Sequence, residues 1–255
     1  MARFHALFTE GSYDFHPDAM GLQRMDDAKS LFRVLLAGNP DALSRWLDVS
    51  SWRTAMFCLA AIVAGDSCYG AVIGSWRGEW QSVVTALKLP LVVLLTSAGN
   101  ALLNASLAGV LGSRLGLRQT VLALLMSSAI TGLLLAACAP VCGFLLGNAP
   151  PLGARHAVMG HSAVLMVLVT VIAWAGVIGH RALFRLLARI DGVVIARRVL
   201  VAWLAGNLLL GTQCAWILRP FVGSPSLPVQ FLRDHPLHGN FFESVAVAVK
   251  HLLFQ

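Results

Sequence analysis

Apolar positions along this chain gather into five long runs, roughly 54–76, 89–112, 119–147, 157–180 and 199–218. Each run is long enough to cross a hydrocarbon core of about 30 Å at about 1.5 Å of helix per residue. A backbone inside lipid must satisfy its own polar groups, so such runs become helices. The expected fold is all-α: a polytopic transmembrane helix bundle of about five spans, with amphipathic surface helices at both ends. Ahead of the first span, residues 1–17 read as irregular. Over 18–37, Met25, Ala28, Leu31, Phe32, Leu35 and Leu36 follow the 3.6-residue period, and Asp26, Asp27, Lys29 and Arg33 face elsewhere. Gly38 ends that helix. Asn39-Pro40-Asp41 starts another, with Asn as cap and Pro at the first position, and the new helix carries Leu43, Trp46 and Leu47.

The runs carry internal punctuation. Gly70 and Gly74 form a GxxxG pair in the first, beside a small-residue ridge of Ser67, Ala71 and Ser75. Such ridges let helix backbones approach closely. Lys88-Leu-Pro90 reads as the start of the second span, where a proline's missing N–H does no harm. Pro140 is expected to kink the third span or mark its outer end. Residues 181–198 read as a basic amphipathic segment lying on the inner surface. After 218 the pattern changes: Pro220, Gly223, Pro225 and Pro228 exclude a helix, while Phe221, Leu227, Phe231 and Leu232 keep the segment apolar. Such a stretch is expected to fold back onto the outer face, with a short amphipathic helix over 240–254 behind it. The organisation is then a cytoplasmic helical segment (1–51), a five-span bundle (52–218), and an outer proline-rich segment with its short helix (219–255).

Composition agrees: 57% of residues are hydrophobic and 12% charged, where a soluble chain carries about 25% charged residues. The net charge of +7 is explained by basic residues beside the spans, and no nucleic acid is needed as a partner. Counted over alternate extramembrane segments, Lys and Arg number thirteen against six. The positive-inside rule then puts the N-terminus in the cytoplasm and the C-terminus outside, in a bacterial inner membrane. The first thirty residues hold five acids and no apolar core, so they do not read as a signal peptide. The five cysteines all fall inside apolar runs, where free Cys serves as a small apolar filler.

Polar residues inside the runs are the candidate chemistry. Asp66 lies near the middle of the first, and an acid at that depth is costly unless paired, protonated or wet. Counting from the ends of the runs puts Asn100, Ser128, Thr170 and Asn207 at similar depth, with Asn104 one turn beyond Asn100 and Gln213 further along the fifth run. Asp66, Asn100, Asn104, Asn207 and Gln213 are therefore the intramembrane candidates, read either as interhelical hydrogen bonding or as a polar path through the bundle. His161 is placed close to the outer face. In the outer segment, Arg219, Phe221 and Ser224 are the binding candidates. No metalloprotease, nucleophile-elbow, phosphate-loop or dinucleotide signature is present, and no cofactor or metal is expected.

Three stretches carry a resemblance: Tyr69-Gly-Ala-Val-Ile-Gly74, Ala86-Leu-Lys-Leu-Pro90 with Thr96, and Gln213-x2-Trp216-x-Leu218-Arg-Pro-Phe221-x-Gly223-Ser-Pro225. Together they resemble a family of uncharacterised bacterial polytopic membrane proteins, over roughly 65–235. The five-span layout is also loosely similar to Yip1-type proteins. The resemblance implies architecture and no activity. The functional expectation is a non-enzymatic membrane subunit or scaffold, with the bilayer and other subunits or further copies of itself as partners. The alternative is a channel or transporter around Asp66; a weaker one is a membrane enzyme acting on lipid.

Overall fold

The computed structural model describes residues 28–49, 51–148, 157–221 and 229–243, with 28 and 157–165 as backbone. The readings for 1–17, 18–27, the 149–156 loop, the His161 side chain, Ser224 and most of the 240–254 helix lie outside these residues. The described elements are helices: α1 (Ala28–Ala37), α2 (Pro40–Val49), α3 (Trp52–Ser75), α4 (Glu79–Val110), α5 (Leu117–Gly147), α6 (Ala157–Asp191) and α7 (Val193–Ile217). Helices α3 to α7 are each long and apolar enough to cross a membrane. The chain is a multi-pass, all-helical membrane protein.

The five long helices alternate in direction and close into a ring in the order α3, α5, α6, α7, α4. Helix α5 is apolar around most of its circumference and touches α3, α4, α6 and both short helices. That is the pattern of a helix surrounded by protein. Helix α7 is its opposite: among the described helices it packs chiefly on α4 and α6, and it buries Ala196, Val199 and Trp203.

Small residues set the helix spacing. A Cβ on Gly65 would collide with the Gly132 backbone, one on Gly70 with that of Thr85, and one on Gly74 with that of Gln81 and Ser82. The Gly70/Gly74 ridge is thus used within the molecule, to draw α3 onto α4. Ser82 Oγ reinforces that contact by donating to the Ala71 carbonyl at 2.7 Å.

One end of the ring carries α1 and α2. Asn39 caps α2 as expected, its Oδ1 accepting from the Asp41 N–H at 2.9 Å. Gly38, at φ 55°, takes the left-handed turn between the two helices. Leu35, Leu43, Trp46 and Leu47 of the short helices are buried with Leu186 and Leu187 of α6 in one core cluster. At this same end Asp191 ties the α4–α5 loop to α6, accepting from Ser113 Oγ and from the Arg114 N–H.

Two helices are longer than their apolar runs. Helix α6 continues to Asp191, so 181–191 is the end of a span helix and not a separate surface segment; the break comes at Gly192, at φ 83°. The apolar side of 181–191 meets α2, and its Ala182, Leu183, Leu186 and Leu187 are buried in the core cluster that also holds Leu31 and Leu35 of α1; 193–198 opens α7. Helix α4 begins at Glu79, ten residues before the run that announced it. Pro90 therefore lies in its interior, and Lys88 is inside the helix, not at its boundary.

Candidate functional site

The displaced start of α4 brings an unexpected group into the bundle. Gln81, Thr85 and Lys88 lie three and four residues apart, so they share one face of the helix. All three are fully buried at 0% exposure. What covers them is the tail, which returns across the end of the ring opposite α1 and α2. Thr85 Oγ1 donates to the Phe221 carbonyl. Gln81 Nε2 donates to the same carbonyl at 2.7 Å. Lys88 Nζ donates to the carbonyls of Pro220 at 3.0 Å and Gln230 at 3.4 Å. The ammonium also lies 5.9 Å from the Phe221 ring centre and 5.2 Å from that of Phe231. The described residues on either side of 222–228 thus return to α4, where a lysine inside a span helix meets both.

The energetics favour mutual dependence. Desolvating an ammonium costs several kcal/mol. Hydrogen bonds to a charged group return about 1.5–3 kcal/mol each, and an aromatic face about 0.5–2 kcal/mol. Lys88 keeps the tail in place, and the tail makes Lys88 tolerable.

Arg219 begins the returning segment. Its Nη1 donates to the Trp216 carbonyl at 2.6 Å, and its guanidinium stacks 3.6 Å from the Trp216 ring centre. It thus satisfies one of the open carbonyls at the end of α7, as expected of a cation at a helix C-terminus. Burial and the neighbouring Arg233 charge pull the Arg219 guanidinium below its ordinary pKa. Trp216 Nε1 donates in turn to the His238 carbonyl at 3.4 Å, so the far part of the tail is also fastened to α7.

The intramembrane candidates do not form one layer. Gly70 and Gly74 of α3 meet Thr85 and Gln81 of α4, four residues up on one and four down on the other. Extending that register puts Asp66 level with Leu89, about eleven residues or roughly 16 Å from Asn100 along α4. Asp66 faces α5: a Cβ on Gly132 would sit 3.2 Å from its Oδ1. It is 2% exposed, and its Oδ2 has no hydrogen-bond partner among the described residues. The asparagines meet elsewhere, between α4 and α7 and nearer the short-helix end. Asn100 Nδ2 donates to Asn207 Oδ1 and to the Gly206 carbonyl, both at 3.0 Å, and Asn104 Nδ2 reaches Asn207 Oδ1 at 3.4 Å. Trp203, fully buried, adds an Nε1–H bond of 2.7 Å to the Asn104 carbonyl. Thr170 turns its hydroxyl back to the Met166 carbonyl at 2.7 Å and is exposed. Ser128 and Gln213 are half-buried.

Of the sequence candidates, Asn100, Asn104 and Asn207 come together and Arg219 and Phe221 lie in the returning tail; Lys88, Gln81, Thr85 and Trp203 were not among the candidates. A signal was present: Gln81-x3-Thr85-x2-Lys88 is a polar stripe at helical spacing leading straight into an apolar run. The described residues hold no cluster of His, Cys, Asp and Glu that could bind a metal. No protein-family model, curated protein or solved structure matches this chain.

Proposed function

We propose that this chain is a non-enzymatic subunit or scaffold of a larger membrane assembly, in the inner membrane of a bacterium. The observation that carries the reading is where the polar groups of the spans are spent. Asn100, Asn104, Asn207 and Trp203 join helix to helix; Gln81, Thr85 and Lys88 join helix to tail. Their chemistry is that of holding. The thinly covered α7 leaves one flank for neighbouring subunits, and the held tail offers a firm surface at the ring's end. Counted over alternate segments of the sequence, Lys and Arg number thirteen against six. That supports a cytoplasmic N-terminus and an external C-terminus.

The test is recovery of the tagged chain from native membranes in mild detergent, with size analysis. The reading expects a species well above the 27.2 kDa monomer, with other membrane proteins or further copies in fixed ratio. A monomer that brings nothing reproducible with it sinks the proposal. Labelling a cysteine introduced at Ser226 from outside intact cells, with one at Ala188 spared, tests the orientation.

One observation favours transport as a second reading: the unpartnered Asp66 oxygen between α3 and α5. It requires that Asp66→Asn abolish a proton- or cation-dependent flux in liposomes while the bundle still assembles. Unchanged flux removes it.

A further inference from the structure

The asparagine cluster between α4 and α7 uses its donors more fully than its acceptors. Asn100 and Asn104 both spend Nδ2 on Asn207 Oδ1, and Asn100 also donates to the Gly206 carbonyl. None of these bonds uses the Oδ1 of Asn100 or of Asn104. Asn104 is fully buried, and its Oδ1 has no hydrogen-bond partner among the described residues. The two oxygens lie around one point. A Cβ added to Gly206 would be 3.6 Å from Asn100 Oδ1 and 3.8 Å from Asn104 Oδ1, with Leu103 Cδ2 also at 3.8 Å. The helices close on both sides of that point. About one turn before it on α7, the Trp203 indole donates to the Asn104 carbonyl at 2.7 Å. About one turn after it, Leu210 lies so near Gly99 that a Cβ there would meet its Cδ2 at 2.5 Å.

We propose that Gly206 keeps room for one water molecule, held by the side-chain oxygens of Asn100 and Asn104 in the seam between α4 and α7. An acceptor buried without a donor is costly inside a membrane bundle and rare in native structures. The backbone of α7 cannot supply the donor at 206, because its N–H groups there are used along the helix. One water brings two donors to two acceptors, and it is about the size of the methyl group that the contacts at Gly206 admit. The thinly covered α7 is then joined to α4 by a hydrated polar seam as well as by the direct amide bonds. The site goes beyond the assembly proposed above and does not depend on it, because every readout is taken on the purified chain.

The test rests on the sign of one substitution. In a helix interior Gly→Ala ordinarily stabilises, and an alanine methyl at 206 meets its neighbours at ordinary contact distances. A methyl that expels a water instead strips Asn104 Oδ1 of its donor. Gly206→Ala should therefore lower the thermal unfolding midpoint of the purified protein in detergent. Gly206→Ser adds the same carbon with a hydroxyl donor and should recover part of the loss. In wild-type protein with isotope-labelled asparagine, nuclear Overhauser cross-peaks should join bound water to the side-chain amide hydrogens of Asn100 and Asn104, and they should vanish in Gly206→Ala. A midpoint raised or unchanged by Gly206→Ala overturns the proposal. So does a serine variant no more stable than the alanine one, or a wild-type spectrum without those cross-peaks.

Discussion

The two ends of the ring are closed by opposite physics. At one, α1 and α2 seal the helices with Leu35, Leu43, Trp46 and Leu47 against Leu186 and Leu187, an apolar core like that of a soluble protein. At the other, an irregular tail is held by a lysine, a glutamine and a threonine reaching its carbonyls from inside α4. The difference follows from the covering segments. An amphipathic helix has satisfied its own backbone and brings only side chains to be buried. A proline-rich segment brings open carbonyls, which must find donors wherever they are covered. The polar stripe on α4 supplies those donors.

The comparison makes the two seals fail differently. Trp46→Ala should have the largest effect. Its ring is 3% exposed, and emptying such a site costs about 3–5 kcal/mol. We expect a lower global unfolding midpoint in denaturant, with native-state proteolysis of the tail unaltered. Lys88→Met should do the converse. It takes the lysine donor from the Gln230 carbonyl and leaves that of Pro220 only the 3.4 Å bond from Gln81 Nε2, at about 1–3 kcal/mol, and should speed cleavage within 229–243 with little change in the midpoint. If the tail in that variant is cut no faster than in wild type, the lysine does not hold it.

Arg219→Lys tests the geometry of the second seal, since it keeps the charge and loses the planar fork and the stacking on Trp216. The loss of about 0.5–2 kcal/mol should appear as a moderate rise in tail proteolysis, below that of Lys88→Met. The smallest effect belongs to the first seal. Arg189 Nε meets Asp41 Oδ1 at 2.7 Å, but both side chains are more than half exposed, at 63% and 60%. Asp41→Asn should shift the unfolding midpoint by no more than about 0.2–1 kcal/mol, and the shift should vanish in high salt.

The apolar seal was legible in the sequence and the polar one only by half. Leu31, Leu35, Leu43, Trp46 and Leu47 announce buried faces through spacing alone, because a helix period is a local property. So did the Asn39 cap. The fold-back of the tail was also readable, since prolines among phenylalanines must fold onto something. Lys88 was not. In a hydropathy profile a lysine followed by a proline looks like a boundary, and what cancels its cost lies at Pro220 and Gln230, far away in the chain. That misplaced start carried a second error. Depths counted from residue 89 put Asn100 level with Asp66, whereas the backbone approaches at Gly70 and Gly74 put them well apart. Helix order around the ring was likewise beyond a one-dimensional pattern.

The wide separation of Lys88 from its acceptors also bears on how the protein is made. The ammonium enters the membrane with α4, yet its first carbonyl partner lies 132 residues later. At about 5–20 residues per second the ribosome needs roughly 7–26 s to reach it. During that interval a lysine, worth up to about 3 kcal/mol against insertion at a helix centre, has no tail to cover it. Its acceptors at Pro220 and Gln230 exist only once α7 and the tail beyond it have been made. A chain cut short before residue 219 would lack both carbonyls that meet the Lys88 ammonium, so the last part of the chain to be made completes the surroundings of a charge placed early.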